Sequence, residues 1–347
     1  MTFQKAIVVI APNTAQVVSD RPIPTLRNDY VLVKVVSVAL NPTDWKHIDY
    51  ISPPGVLCGC DYSGIVAEVG KGVKKLWKKG DRIAGFAHGG NSVQPEDGSF
   101  AEYIVVKGDV QFRIPDHMTF EEASTLGVGI NTVMQAFYQS LSLALPTNPL
   151  IIPEPILVYG GSSATGLVAI QFAKLSGYQV LTTCSPRNFD LVKSFGADAV
   201  FDYNDTQSAA EIRKSTEDRL KLVFDTISLD TTAAFCGEAL CTKGGSYTNL
   251  LWANVPRENV HSNSVLVYTI IGEDFTLGTT SIPAIPANRT FAEDFHPLVE
   301  KLLEKNFRAQ PLVVGKKGLK GVLEGLNSMR KGDVSGEKLV YNISETP

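Results

Sequence analysis

The residues with the clearest chemical content are Leu157-Val158-Tyr159-Gly160-Gly161-Ser162-Ser163-Ala164-Thr165-Gly166. The apolar run 156–159 reads as a buried strand, and 167–176 reads as an apolar-periodic helix closed by Gly177. A strand, a tight turn of small residues and a helix N-terminus suit a dinucleotide pyrophosphate. Small side chains let the backbone approach the anion, and the first helical N–H groups face it. The spacing departs from G-x-G-x-x-G, so the loop alone is a weak signal. The next strand, Gln179–Cys184, adds more. An NAD site normally ends this strand with Asp or Glu for the ribose hydroxyls. Here the chain continues Ser185-Pro186-Arg187-Asn188, with an arginine and no acid. That combination suits a 2′-phosphate, so the expected cofactor is NADPH.

The elements that must position this site come after a change of pattern near residue 120. Before it, the segments 5–10, 30–40, 63–69, 81–86 and 100–106 are β-rich and separated by Gly/Pro/Asn/Asp turns, which predicts a small β-barrel. Thr119-Phe120-Glu121-Glu122 forms a capping box, predicting a helix to about Leu141. The connector 145–155 is too proline-dense for a helix or a central strand. From Ile156 the strands 156–159, 179–184, 199–201, 222–225 and 245–249 alternate with helices, predicting a parallel, doubly wound sheet. Helices at 291–305 and 321–330 and a strand at 338–343 complete the chain.

At 347 residues the chain can bury two cores. A formal net charge of −4 argues against a nucleic-acid or anionic-membrane partner. No apolar run approaches the roughly 18 residues of a membrane span. The N-terminus lacks a signal-type apolar core, and the cysteines (Cys58, Cys60, Cys184, Cys236, Cys241) are scattered. A soluble, cytoplasmic chain with reduced, buried thiols is expected. The histidines lie in turns and form no catalytic constellation, so surface or capping roles are expected for them. Asp225 is expected to order a loop.

Asn41-Pro42-Thr43-Asp44, Gly59-Cys60-Asp61-Tyr62-Ser63-Gly64, Gly80-Asp81-Arg82, Gly98-Ser99-Phe100-Ala101-Glu102-Tyr103 and Val223-Phe224-Asp225 span nearly the whole chain. Their order resembles the medium-chain dehydrogenase/reductase superfamily, in its zinc-free, quinone-oxidoreductase-like branch. Four further stretches are most similar to the fungal trans-acting enoyl reductases of polyketide biosynthesis. These are residues 159–165, Thr183-Cys184-Ser185-Pro186-Arg187-Asn188-Phe189-Asp190-Leu191, Phe201-Asp202-Tyr203 and Ser335-Gly336-Glu337-Lys338-Leu339-Val340. The resemblance implies an α/β chain: a GroES-like β-barrel domain at 1–125, completed by 290–347, and a Rossmann NADPH-binding domain at 126–289, walling a cleft.

It also implies site residues. The catalytic zinc ligands of related alcohol dehydrogenases fall at Asn41, Cys60 and Val128. Only Cys60 could bind zinc there, so no metal is expected. Lys46 falls where related zinc-free reductases place a group near the nicotinamide, and Thr132 matches the family's threonine there; both are candidate catalytic residues. Thr43, Asp44, Trp45 and Lys46 are expected against the cofactor. So are Ser162, Ser163, Ala164 and Thr165 at its phosphates, with Ser163 standing where many relatives have a second glycine. Ser185, Pro186, Arg187, Asn188 and Tyr203 match the 2′-phosphate and adenosine contacts. Leu250, Leu251, Val334 and Ser335 match return contacts. One substrate wall falls on Thr132-Val133-Met134-Gln135-Ala136-Phe137-Tyr138-Gln139, where Met134 and Phe137 are equally natural as core. The other is the largely apolar Tyr268-Thr269-Ile270-Ile271-Gly272.

Without a Lewis acid, hydride chemistry is easiest on an activated double bond, where the protein must steady a developing oxyanion. The expected reaction is reduction of an enoyl thioester carried by a polyketide synthase, by a monomer beside its synthase; an edge-strand dimer is the alternative. Two other functions compete: a free-standing quinone or enone reductase, and a catalytically idle NADPH-binding protein. If Arg187 meets the 2′-phosphate, Arg187→Ala weakens NADPH binding by roughly 1.5–3 kcal/mol and barely changes NADH binding, as titration of both nucleotides would show. Equal losses would refute the assignment.

Overall fold

Alternating apolar residues build the barrel strands at the start of the chain. The computed structural model describes residues 2–305 and 307–347. β1 (Phe3–Ala11) pairs antiparallel with β2 (Thr14–Pro22). β2 escapes the sequence pattern because it is half-exposed and polar. In β3 (Tyr30–Ala39), Val31, Val33 and Val35 are buried and Lys34 is exposed, the period of a strand with one face on the core. After helix α1 (Pro42–Lys46) come β4 (Asp61–Val69), β5 (Arg82–Phe86), β6 (Tyr103–Lys107) and β7 (Gln111–Arg113). β3, β4, β5 and β7 pair in that order, with β6 also on β3.

The capping box is present: Thr119 Oγ1 accepts the Glu122 N–H at 3.1 Å, and Glu122 Oε2 accepts the Thr119 N–H at 2.8 Å. The expected single helix is nevertheless broken into α2 (Phe120–Ser124), α3 (Gly127–Met134) and a π-helical turn, Gln135–Ser140. Ser124 and Thr125 turn their hydroxyls back onto the carbonyls of Glu121 and Glu122. Gly127 then passes so close to the Gly85 backbone that a Cβ would collide with it.

The second unit, Gly129–Val267, is a six-stranded parallel sheet. Its elements are β8 (Pro155–Tyr159), α4 (Ala164–Leu175), β9 (Gln179–Cys184), α5 (Phe189–Ser194), β10 (Ala199–Asp202), α6 (Ser208–Ser215), β11 (Leu222–Asp225), α7 (Asp230–Ala239), β12 (Gly245–Asn249) and β13 (Val260–Ser264). The order β10-β9-β8-β11-β12-β13 is the doubly wound arrangement in which the chain reverses direction at β8, placing a ligand crevice beyond its carboxyl end. Pro155 opens β8, a strand position that needs no N–H.

The first unit resumes at Tyr268 and comprises Met1–Val128 with Tyr268–Pro347. Its later elements are β14 (Phe275–Leu277), β15 (Thr280–Ile282), α8 (Pro286–Leu303), β16 (Leu312–Gly315), α9 (Gly318–Lys331) and β17 (Lys338–Asn342). β17 pairs with β3, so the tail completes the barrel sheet. Asp61 holds the Val128 N–H at one end of the first unit's N-terminal stretch, and the Tyr268 hydroxyl is held by Thr43. Buried Lys107 donates to Asp29 at 2.7 Å and to Glu273 at 2.5 Å, fastening the returning chain. No helix among the described residues is long and apolar enough to cross a membrane.

Candidate active site

In the first unit the candidate site grows from the turn after β3. Asn41 precedes α1, and its N–H donates to Asp44 Oδ2 at 2.7 Å. Its amide donates to Asp61 Oδ2 at 2.9 Å and accepts from Lys338 Nζ at 2.7 Å. The Lys338 ammonium also donates to Asp61 Oδ2 at 2.6 Å, and Asp61 Oδ1 accepts the Val128 N–H at 2.6 Å. Both charged side chains are buried, at 2% and 0% exposure. Of the positions where zinc ligands would fall, Asn41 thus meets an ammonium and Val128 meets the carboxylate paired with it. No group of three His, Cys, Asp or Glu among the described residues could hold a metal. With an amide, one thiol and a valine at those positions, zinc does not fit.

The Asp44 carboxyl is buried at the start of α1, where burial, with Asp61 nearby, pushes it up to about 7. Its Oδ2 serves the turn by accepting the Asn41 N–H. Thr43, Trp45 and Lys46 remain half-buried. Lys46 Nζ lies 5.8 Å from the Trp45 ring centre and has no ion-pair partner among the described residues; burial lowers its pKa. Immediately beyond, His47–Ile51 forms a π-helical turn. Such turns recur at functional sites, and Gln135–Ser140, just past Thr132 and Val133, is another.

His117 and His261 are exposed, and His47 caps the end of α1 with Nδ1 2.9 Å from the Thr43 carbonyl, as expected of them; His88 and His296 depart from surface and capping roles. His47 and His88 are buried, and burial keeps both imidazoles neutral, His88 with its pKa lowered to about 3. They flank Tyr268, at ring distances of 5.3 and 4.4 Å. The Tyr268 hydroxyl bonds Thr43 Oγ1 at 2.6 Å and lies 3.9 Å from Cys60 Sγ. Tyr268, Thr269, Ile270 and Ile271 are buried and Gly272 half-buried. His296 is likewise buried, within α8.

In the second unit the glycine loop lies between β8 and α4, the strand–turn–helix placement the sequence indicates. Gly160 has φ +79°, and a Cβ there would lie 2.6 Å from Thr226 Oγ1. Ser163 caps α4: its Oγ accepts the Gly166 N–H at 3.0 Å. Thr226 Oγ1 donates to the Tyr159 carbonyl at 2.9 Å, so Ser163 donates to Thr226, also at 2.9 Å. The one proton of the Ser163 hydroxyl is thereby used within the protein. At the end of β9, Ser185 Oγ and the Tyr203 hydroxyl meet at 3.1 Å. Pro186 and Arg187 are exposed and Asn188 is buried; Arg187 has no ion-pair partner among the described residues. Asp225 orders its loop, accepting the N–H groups of Ile227 and Ser228 at 2.9 Å.

The remaining candidates divide. Thr132, Val133, Met134, Gln135, Ala136 and Phe137 are buried, and Tyr138 and Gln139 half-buried. Phe137 packs edge-on against Phe224 at 5.6 Å, the core role its spacing allowed. The Tyr138 hydroxyl meets Ser176 Oγ at 2.9 Å. Leu250 is half-buried and Leu251 exposed beyond β12; Val334 is half-buried and Ser335 exposed before β17. Sequence reasoning missed Lys338, Asp61 and Thr226 as site-builders, although Lys338 and Asp61 lie within the family-like stretches. Thr226→Val should weaken nicotinamide dinucleotide binding roughly three- to tenfold, the weight of one or two hydrogen bonds. Thr226→Ser should restore it in the same titration; unchanged affinity in Thr226→Val would refute the assignment.

Comparison with known proteins fits this geometry. Residues 27–116 match the alcohol dehydrogenase GroES-like domain, and residues 164–249 the zinc-binding dehydrogenase model. The trans-enoyl reductase TOXD of Cochliobolus carbonum is 59% identical over 85% of this chain and 99% of its own length. The trans-enoyl reductase resD of Aspergillus sclerotiorum is 47% identical over 98% of this chain and all of its own. Among solved structures, the CurK enoyl reductase superimposes with a TM-score of 0.75 at 15% identity, covering 98% of this chain and 99% of that one. The quinone oxidoreductase of Coxiella burnetii gives 0.70 at 21% identity, with 98% and 99% covered. These two likenesses show a shared fold. The matched dehydrogenase domains imply a nicotinamide cofactor. With that fold, an amide, a thiol and a valine where zinc ligands would stand, and close identity to fungal reductases along nearly its whole length, the chain belongs to the trans-enoyl reductase family of the medium-chain dehydrogenase/reductases.

Proposed function

We propose that this protein is an NADPH-dependent enoyl reductase that works in trans with a polyketide synthase. On this reading it is a cytoplasmic monomer reducing the α,β-double bond of a carrier-bound thioester. The observation that carries the reading is the near full-length identity to trans-enoyl reductases. The Lys46 ammonium, which has no ion-pair partner among the described residues and sits on a pinned turn where zinc ligands are absent, supports it. When bound, the reduced nicotinamide supplies a hydride for the β-carbon.

The protein's share is binding and charge control. Ser162, Thr165 and the α4 N-terminus would hold the pyrophosphate, with Ser163 shaping the loop. Arg187, Ser185 and Tyr203 would hold the 2′-phosphate, the guanidinium through a charge-assisted contact. Thr43, Trp45, Leu250, Leu251, Val334 and Ser335 would line the rest of the cofactor. Lys46 would steady the negative charge that develops on the thioester oxygen, aided by the Thr132 hydroxyl. Preorganised donors of this kind act where charge appears in the transition state. The buried, largely apolar Tyr268–Ile271 segment suits an acyl chain.

NADPH oxidation by purified protein, offered a carrier-bound crotonyl thioester or a free quinone, tests the proposal. Preferential turnover of the carrier-bound thioester is expected, with kcat lowered about 10²–10³-fold in Lys46→Met, the scale of losing one oxyanion donor. Turnover of quinone alone would make the protein a free-standing quinone reductase. Stoichiometric NADPH binding without turnover of either would make it an idle binding protein.

A further inference from the structure

The Ser335–Val340 stretch has a motif's character, yet none of the chemistry proposed for the site uses its buried charged member. That residue is Lys338, at the start of β17. The ammonium makes two side-chain contacts, with Asp61 Oδ2 at 2.6 Å and Asn41 Oδ1 at 2.7 Å. Asn41 directly precedes α1, which carries Thr43 to Lys46. Asp61 holds, through its other oxygen, the backbone of Val128 at the start of α3. Lys338 itself lies shortly after Val334 and Ser335. One buried cation thus ties together, directly or through Asp61, the segments that contain the three zinc-ligand positions and both first-unit segments assigned to the cofactor.

We propose that the Lys338 ammonium does the organising work a metal ion would do at these positions, which makes Lys338 a positioning residue for Lys46 and for the cofactor contacts at 43–46 and 334–335. The inference rests on the cofactor contacts of the proposed function. A charge buried this completely is tolerated only when paired, so Asp61 and Asn41 must converge on it. Because Asn41 leads into α1, their convergence fixes where that helix begins and hence where Lys46 stands. A metal ion cannot share the place, since the ammonium already holds Asp61 Oδ2 and Asn41 Oδ1.

The test uses the full chain as wild type, Lys338→Met and the double variant Lys338→Met/Asp61→Asn, with melting temperature and NADPH affinity by nucleotide fluorescence as readouts. Lys338→Met leaves a buried carboxylate unpaired and is expected to melt lower. The double variant removes that charge while keeping an oxygen for the Val128 N–H. It is expected to recover most of the lost melting temperature yet bind NADPH about tenfold more weakly than wild type, because a displaced turn loses contacts that stability does not report. Affinity that returns fully with stability would overturn the positioning role. So would a double variant as unstable as Lys338→Met, since charge pairing would then not be what the ammonium contributes. Wild-type titration separates the two readings. No NADPH binding there removes the cofactor proposal itself; normal wild-type binding with a fully restored double variant removes only the role of Lys338.

Discussion

An ammonium and a carboxylate taken wholly out of water must satisfy each other, and in this chain Lys338 and Asp61 do so at 2.6 Å. Much of the first unit is arranged around that requirement. Asn41 completes the ammonium's shell and begins α1; Val128 completes the carboxylate's shell and begins α3. β17 must lie beside β3 for the lysine to arrive, and it does, with Val340 opposite Ala39. Gly127 must be glycine for the α3 backbone to come so near Gly85. A polar contact that would be costly half-made thus links the tail, the turn after β3 and the interrupted helix.

The second unit obeys a different constraint. Its inner strands β8, β9 and β11 are buried on both faces, and what the parallel strands share is a carboxyl edge where loops carry the polar work. β8 supplies the glycine turn, β9 the Ser185–Asn188 corner, and β11 a loop organised by Asp225 and Thr226. Thr226 bonds the Tyr159 carbonyl and the Ser163 hydroxyl together, so a residue outside the glycine loop decides its shape. The serine that departs from the glycine pattern is accommodated in this way: its hydroxyl is absorbed by the protein.

What could be read from the sequence was local. The strand–helix alternation from Ile156, the capping box at Thr119 and the turn at Gly160 all depend on neighbours within a few residues, and each was placed correctly. What escaped depends on distant partners. Lys338 and Asp61 are 277 residues apart, and nothing in either's surroundings announces the other. The helix expected from 119 to 141 fails because Asp61 and Gly85 impose a break that its composition does not show. Buried His88 was misread because a turn-like stretch can still be covered, here by Tyr268 and Phe275 packing onto it. β2 was missed for the opposite reason: a half-exposed strand carries little apolar signal.

Enoyl reduction in this protein is proposed to be organised by side chains alone, with no metal in the step. The most direct measurement is the NADPH-dependent reduction rate of a carrier-bound enoyl thioester by protein of known metal content, before and after exhaustive chelation. The same rate is expected in both samples, with zinc well below one equivalent throughout. A rate that falls with chelation and returns on adding zinc would contradict the proposal.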